Sequence, residues 1–434
     1  MRILLVNPPN AGRSIAAERF AMDSFAKIFR GEPLALEVLA GNLTDHHLRI
    51  IDLKAEPIHA LDRTIETMQP HLVGLTAMTC EAPAVVSLAG RIREQRPEAD
   101  IIVGGVHASG APQYFNRSEF DYVAVGLAKA SLRELVEKIQ SGEDSDAIPG
   151  IGKVKTGKSL SVPARRFSRS DLVEDKPPRY DLVDHLREHY DMRLAGLSMG
   201  FVVTACGCPF RCAFCSIAPL TGGKYLMHRP ETILRDIRLA PADASIIRLV
   251  DANTFASPEP ARNLAEKIGE ADLGRQFMAD VRSDTVVKHP ELLKRWREIG
   301  LRTVVIGFED ISDKRLSDMD KRNTSAHNDR AIEILHGLGI TIIGDFIIDP
   351  LYDEKDFAKL ERYVLSRNID LPVCSIMTPL PGTPLYEQRR DEILIHDLEY
   401  YTLTNAVTRT RLPEEDFYRR YADMMKVFHE EAHL

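Results

Sequence analysis

The chain has 434 residues, 44% of them hydrophobic and 28% charged, which is material for two or three packed domains and too apolar for wholesale disorder. Its 56 Lys and Arg against 64 Asp and Glu leave a formal charge of −8, which gives no footing to a nucleic-acid binder. No apolar run is long enough to span a bilayer, Pro8 and Pro9 interrupt the start too early for a signal peptide, and six cysteines make no disulfide scaffold, so the expected location is cytoplasmic.

Residues 1–141 alternate short β-type runs with amphipathic stretches, the pattern of a parallel sheet covered on both faces. Strands are predicted at Arg2–Asn7, Leu48–Leu53, Leu72–Thr76, Ile101–Val103 and Tyr122–Val125, and helices at Leu34–Leu43, Ala82–Glu94 and Ser131–Lys138. Such a flavodoxin-like, doubly wound domain binds ligands outside the carboxyl ends of its strands. Those ends carry Asn7–Gly12, Thr76–Thr79, Gly104–Ser109 and Gly126. Met22, Phe25 and Phe29 stand at helical spacing and read as packing. Residues 142–196 are rich in turn formers, with Lys176-Pro-Pro-Arg179 blocking any helix, and read as a linker with a small hairpin.

A second alternation fills residues 197–390. Its predicted strands are Phe201–Ala205, Ile246–Val250, Gln276–Ala279, Thr303–Ile306, Thr341–Ile348 and Val373–Thr378. Helices are predicted near Glu231–Leu239, Glu259–Ile268, Pro290–Glu298, Asn328–Leu338 and Glu354–Ser366. Six β/α steps predict an open, partial barrel with its functional residues on the loops at the strands' carboxyl ends. Residues 391–434 read as a helical tail, Glu414–Glu431.

Chemistry concentrates in Cys208-x3-Cys212-x2-Cys215, directly after the first barrel strand. Three thiolates on one loop can hold three corners of a [4Fe-4S] cluster and leave the fourth iron open to a substrate or cofactor. Zinc prefers four protein ligands in structural sites, and Cys206-x-Cys208 is tight for a fourth. A redox disulfide from Cys212-x2-Cys215 asks for a thioredoxin-like context that a barrel does not offer.

The stretch Gly207-Cys208-Pro-Phe-Arg-Cys212-Ala-Phe214-Cys215 resembles the signature of radical S-adenosylmethionine (radical SAM) enzymes, Cys-x3-Cys-x-aromatic-Cys, in the place that family gives it. Leu4-Leu-Val-Asn-Pro-Pro9, Gly74-Leu-Thr76, Val103-Gly-Gly-Val-His-Ala-Ser109 and Asp121-Tyr-Val-Ala-Val-Gly126 resemble the cobalamin-binding domain fused to one large branch of that superfamily. Together the two resemblances span residues 1–390. They imply that SAM chelates the open iron through its amino and carboxylate groups. The reduced cluster then cleaves SAM to methionine and a 5′-deoxyadenosyl radical, with flavodoxin or ferredoxin as electron donor.

The resemblance also implies contacts. Phe214 stands where the family's loop backbone meets adenine. Asp251 and Asn253 follow the second barrel strand, where the SAM amino group is met; for Asp251, the N-cap of the next turn is the alternative. Arg282 is placed to fork onto the SAM carboxylate, or to make a surface salt bridge. Glu309, in Gly307-Phe-Glu309, matches an acceptor for ribose or the SAM ammonium, and Thr378–Pro384 matches the closing loop near adenine. Asp345 and Asp349 bracket the apolar run of the fifth strand, as turn formers or with one facing the barrel mouth. Tyr225, His228 and Arg229 receive no role. Cobalamin contacts are implied at Asn10, Thr76, Thr79, Gly104, Gly105, His107 and Gly126, the glycines allowing a flat ring to approach the backbone.

Two departures stand out. Many cobalamin domains carry Asp-x-His-x-x-Gly, whose His ligates cobalt; here Asn7-Pro-Pro9-Asn-Ala-Gly12 puts Pro9, with no ligating atom, in its place. Relatives carry Gly-Glu-Gly-Glu where this chain has Gly126-Leu-Ala-Lys-Ala. The function implied is a cobalamin-dependent C-methyltransferase acting on an unactivated carbon of a small molecule. The alternatives are a non-methylating oxidative cyclase or rearrangement enzyme, with the N-terminal domain as a scaffold or still holding its corrin, and a non-catalytic Fe–S or cobalamin sensor.

Overall fold

A computed structural model of the chain describes residues 1–22, 30–192 and 196–432; Phe25 and Phe29 lie outside the described residues. The N-terminal sheet has five parallel strands: β1 (Arg2–Asn7), β2 (His47–Asp52), β3 (Leu72–Thr76), β4 (Asp100–Gly104) and β5 (Tyr122–Ala124). Their order, β2-β1-β3-β4-β5, reverses direction between β1 and β3, so the switch point of a doubly wound sheet lies there. The strands are near-continuous apolar runs because helices cover both faces. Leu4, Val6, Val73 and Val103 pack against helices Ile58–Met68 and Ala82–Gln95, while Ile3, Leu5 and Ile102 pack against helices Leu34–Gly41 and Lys129–Ser141. The Ile58–Met68 helix goes beyond the prediction; its buried stripe is Leu61, Ile65 and Met68 at helical spacing.

The stretch read as a linker is a packed bridge. Its strand β6 (Ile151–Lys153) extends the first sheet antiparallel to β5. Tyr180, Val183, Leu186 and Tyr190 then enter one core with Leu34 and Leu36 on one side and Met199 and Phe201 on the other. Its last strand, β7 (Asp191–Met192), pairs antiparallel with β8 (Leu197–Val202) beyond the stretch, so both named strands within it, β6 and β7, pair with strands outside it and the expected internal hairpin does not form between them.

After β8 come a short ribbon, β9 (Ala205–Cys206) with β10 (Leu226–Met227), and then β11 (Ile246–Leu249), β12 (Phe277–Val281), β13 (Leu301–Glu309), β14 (Thr341–Ile348) and β15 (Leu371–Ile376). The sheet runs β15-β14-β13-β12-β11-β8-β7 with β8 and β15 far apart, an open half-barrel of six parallel strands. Met199, Phe201, Ile246, Met278, Ile343 and Leu371 fill the lumen, and the helices pack on the outside. Met22 joins that outer core. No helix among the described residues is long and apolar enough to cross a membrane.

The tail helix Glu414–Glu430 buries Phe417, Tyr421 and Met425, and the Tyr421 hydroxyl donates to the Cys374 carbonyl of the edge strand β15 at 2.6 Å. It also meets the short helix Ile15–Phe20, so both ends of the chain close over the same edge. Asn405, fully buried, pins them: its Oδ1 accepts from the Ile15 amide at 2.8 Å, and its Nδ2 donates to the carbonyls of Arg13 and Tyr400 at 2.8 and 2.7 Å. Asn405→Ala leaves these backbone groups without partners and is expected to cost about 2–4 kcal/mol, read as a lower denaturation midpoint. Asn405→Asp keeps the acceptor for Ile15 but sets a buried carboxylate oxygen against the Arg13 and Tyr400 carbonyls, and should lose at least as much. Equal stability of both variants with the parent would remove Asn405 from this role.

Candidate active site at the facing strand ends

The cysteine loop leaves the barrel through a turn fixed by Asp251. Its carboxylate is buried and accepts from the amides of Thr204 and Ala205, both at 2.8 Å, and from the Thr204 hydroxyl at 2.5 Å. Burial pushes this acid up to about 6 while the hydrogen bonds pull it down. The structure thus commits Asp251 to the start of the loop. At Gly207, with φ of 79°, a Cβ would lie 2.2 Å from the Lys224 carbonyl, so only glycine passes this turn. Cys208, Cys212 and Cys215 follow on one loop, and the amide of Cys215 donates to the Cys212 carbonyl at 3.1 Å. Ala213 bridges two other elements: its amide donates to the Met319 carbonyl and its carbonyl accepts from Leu385, each at 2.9 Å. Phe214 packs at the mouth of the barrel beside Ala213, Met319, Ile347 and Met377.

Burial raises the Cys212 and Cys215 thiols; at Cys212 the nearby charges of Lys321 and Arg282 work against it and favour the thiolate that iron requires. Cys206 turns away from this loop and lines a separate cavity with Gly126. Cys80 and Cys374 sit on other elements, after β3 and in β15. Three cysteines on one backbone-clamped loop are side chains that could hold three irons of an iron–sulfur cube.

The other barrel strand ends converge on the same loop. The Arg282 guanidinium lies 3.8 Å from the ring centroid of Phe210, between the first two cysteines. It also donates to Asp284 at 2.9 Å and to the Lys321 carbonyl at 2.7 Å. Arg282 therefore holds the cysteine loop and the 321 loop together. Glu309, in the left-handed region with φ of 63°, is paired with Lys321 at 2.5 Å. Lys321 sits between Asp320 and Arg322, both also left-handed. Three non-glycine residues in that region around one ion pair mark a backbone held in place by its surroundings. Asn253 is 1% exposed, and both atoms of its amide lack a hydrogen-bond partner within the chain. An unsatisfied buried amide costs on the order of 1–3 kcal/mol, so a polar ligand at this strand end accounts for it better than packing does.

In the N-terminal domain, a cavity of about 280 Å³ opens over the strand ends. Gly74, Thr76, Gly104, Gly105 and Gly126 line its floor, and Val203, Cys206 and His228 close it from the barrel side. Its apolar walls, small floor and polar rim of Lys129, His228 and Asp236 suit part of a large flat cofactor with polar appendages. Burial lowers Lys129, which stands in the departing Gly126-Leu-Ala-Lys segment, to about 8, and its ammonium donates to the carbonyls of Val173 and Lys176. The glycines serve the chain's own packing as well. At Gly105 (φ 100°) a Cβ would meet the Ala77 backbone at 2.8 Å, and at Gly126 (φ 79°) the Phe167 ring at 2.4 Å. Asn10 lines a second, more polar cavity, with Asp52, Lys54, Glu81 and Val250.

Thr79 and His107 are placed elsewhere. They share a hydrogen bond of 3.3 Å, and His107 packs edge-on against Tyr114 and Phe115 inside the domain. Neither lines a cavity described here. Sequence reasoning missed Lys321, Phe210 and Lys129 as site residues; for Phe210 alone, a position inside the cysteine motif was an available signal.

Each of Cys208→Ala, Cys212→Ala and Cys215→Ala is expected to abolish iron–sulfur absorbance after anaerobic reconstitution, and Cys206→Ala to keep it. A cluster retained by Cys212→Ala would sink the assignment. A pH effect follows from His107, whose imidazole burial lowers to about 4. An unfolded histidine takes up its proton below about 6.5 while this one does not, so its contribution is full above that pH and is lost as pH falls toward 4. His107→Phe should flatten the dependence of the denaturation midpoint on pH across this window; an unchanged slope would refute the buried neutral imidazole.

Two family models match the chain in tandem: the B12 binding domain over residues 29–136 and the radical SAM superfamily over residues 202–364. Hopanoid C-3 methylase of Methylococcus capsulatus is 27% identical over 93% of this chain and 78% of its own length. The anaerobic magnesium-protoporphyrin IX monomethyl ester cyclase of Rubrivivax gelatinosus is 25% identical over 80% of this chain and 63% of its own. Among solved structures, the radical SAM methyltransferase TsrM of Kitasatospora setae, with cobalamin and a [4Fe-4S] cluster bound, superposes with a TM-score of 0.70 at 19% identity, covering 89% of this chain and 77% of TsrM. With the cysteine loop at the mouth of a half-barrel and a cavity over the switch-point strands, the chain belongs to the radical SAM enzymes that carry an N-terminal B12 binding domain.

Proposed function

We propose that this enzyme methylates an unactivated carbon of a small molecule, with cobalamin as methyl carrier. The observation that carries the reading is the shared wall of the two sites. The cavity over the B12-domain strand ends is closed by Val203 and Cys206, and two residues beyond Cys206 the cluster-binding cysteines begin. When bound, cobalamin supplies a transferable methyl group and the SAM-loaded cluster supplies a hydrogen-abstracting radical. The residues set the geometry between them. The helix Ile217–Leu220, just after Cys215, rests its Leu220 carbonyl against Gly126, and the Pro381–Gly382 turn rests against Gly110, where a Cβ would lie 2.3 Å from the Pro381 carbonyl. Glycine at both contacts brings the closing loop and the cluster loop against the B12 domain.

Within the barrel, Phe214, Asn253 and Arg282 are the residues we assign to SAM, Arg282 by fixing the loop through Phe210 and Asn253 by its free amide. In the B12 domain we assign Thr76, Gly104, Gly105 and Gly126 to cobalamin. Pro9 offers cobalt no ligand, and His107 is turned into the domain core, so the cobalt we expect carries no protein imidazole. Flavodoxin or ferredoxin is the electron donor we expect, in the cytoplasm. The cyclase alternative draws less support, since the chain spans more of the methylase than of the cyclase, and the arrangement of a SAM site beside a corrin cavity asks for more than a sensor.

Anaerobic enzyme reconstituted with iron, sulfide and hydroxocobalamin, then given dithionite and SAM, is expected to form both 5′-deoxyadenosine and S-adenosylhomocysteine. The first product without the second would point to a non-methylating radical SAM reaction. Paramagnetic resonance of the Co(II) state should show no nitrogen superhyperfine splitting; splitting from a histidine nitrogen would refute the ligand-free cobalt. Failure to retain any corrin would turn the N-terminal domain into a scaffold.

A further inference from the structure

Five charged side chains meet on the lumen side of the half-barrel. Arg248 of β11 is paired with Asp280 of β12 at 2.7 Å, and Lys321 with Glu309 at the end of β13 at 2.5 Å. The fifth is Asp345 of β14. Along that strand Ile343 packs into the lumen core with Met199, Phe201 and Met278, and Ile347 packs with Ala213 and Phe214 of the cysteine loop. Asp345 has the same parity and lies between them, so its carboxyl stands on the lumen wall between the inner core and the cluster loop. Across the sheet it faces Gly307. A Cβ there would come within 2.3 Å of a Glu309 oxygen and 2.9 Å of the Lys321 ammonium, so the missing side chain is what lets that pair lie beside Asp345.

Asp345 has no hydrogen bond and no ion pair among the described residues. The lumen therefore holds three carboxyl groups against two cations. Burial, with the like charges of Glu309 and Asp280, pushes Asp345 up to about 8, against the pull of Arg248 and Lys321. Cys374 of β15, which also senses this carboxyl, is held up by its own burial and stays a neutral thiol. At pH 7 this shift holds Asp345 mostly as the neutral acid. The orphaned amide of Asn253 is a second, independent sign that something polar enters this end of the barrel.

We propose that Asp345 is the counter-ion for the sulfonium of SAM, ionising as SAM enters. The inference rests on the reading of this barrel as a SAM site. There the amino and carboxylate groups of SAM go to the open iron, which leaves the sulfonium as its uncommitted charge, and the lumen is short of one cation. The proton leaves the Asp345 carboxyl for solvent, and a carboxylate–sulfonium pair remains.

Calorimetric titration of the cluster-loaded full chain with SAM and with S-adenosylhomocysteine, in two buffers of different ionisation enthalpy, tests this. S-Adenosylhomocysteine keeps the amino and carboxylate groups but carries a neutral sulfur. For the parent protein, SAM should release about one proton more than for Asp345→Asn, and the substitution should weaken SAM roughly tenfold or more while leaving S-adenosylhomocysteine unchanged. Asp345→Glu should restore part of both effects, which separates the charge from a general disturbance of the wall. An unaltered proton count and an unaltered preference for SAM over S-adenosylhomocysteine in Asp345→Asn would overturn the proposal. Failure of the parent protein to bind SAM at all would overturn the underlying site instead.

Discussion

Three hydrogen bonds onto the Asp251 carboxylate decide where the chain stops being barrel and starts being active site. The amides of Thr204 and Ala205 would otherwise be buried donors at the end of β8, and the carboxylate of the neighbouring strand end satisfies both. Because β8 and β11 are paired in register, the acceptor arrives at the right height without any choice by the loop itself. Everything downstream hangs from this point: the tight passage at Gly207, the three cysteines, and the clamps on Ala213 from Met319 and Leu385. A carboxylate placed in this way sets the position of the three cysteines without belonging to their loop.

The parts of this arrangement that were legible in the sequence are local ones. Three cysteines within eight residues, apolar runs ending in glycines, and helices spaced between strands are all patterns that a short window contains, and strands β1, β3 and β14 lie where periodicity places them. What stayed hidden depends on residues distant in the chain. Lys321 gives no signal in Met319-Asp-Lys-Arg322; it becomes part of the site only because β13 delivers Glu309 to it. Asn405 looks like any polar tail residue until the N-terminal segment folds across it. Arg282 was legible as a strand-end cation, while its stacking on Phe210 required knowing which way the cysteine loop turns.

His107 and the glycines show a subtler limit. A motif says that a residue type is needed, and the reason can be internal. Gly105 and Gly126 stand at the cavity, yet each is also demanded by its positive φ and by neighbours a side chain would strike. His107 carries a functional-looking imidazole and spends it on Thr79 and two aromatic rings. Asn253 stands at a barrel strand end with both amide atoms unpartnered, which makes it the stronger ligand candidate; His107 also has an unpartnered Nε2, but it lines neither cavity and packs against Tyr114 and Phe115.

The charges inside the barrel follow the same logic at larger scale. Buried ion pairs are poor stabilisers, since the cost of taking both charges out of water is rarely recovered and apolar residues of similar volume hold a fold at least as well. A lumen of Met, Ile and Phe surrounds Arg248–Asp280 and Lys321–Glu309, so apolar packing was available to the fold at these positions. Their retention makes sense as a preorganised field: fixed charges on strands and at a constrained turn need little reorganisation when a charged ligand arrives, whereas water would have to reorient. Lys321 illustrates it, because one ammonium balances Glu309 and also favours the thiolate at Cys212. The pairing, the left-handed backbone at 309, 320 and 322, and the bare wall at Gly307 then form one device that holds charge between the cluster loop and the lumen.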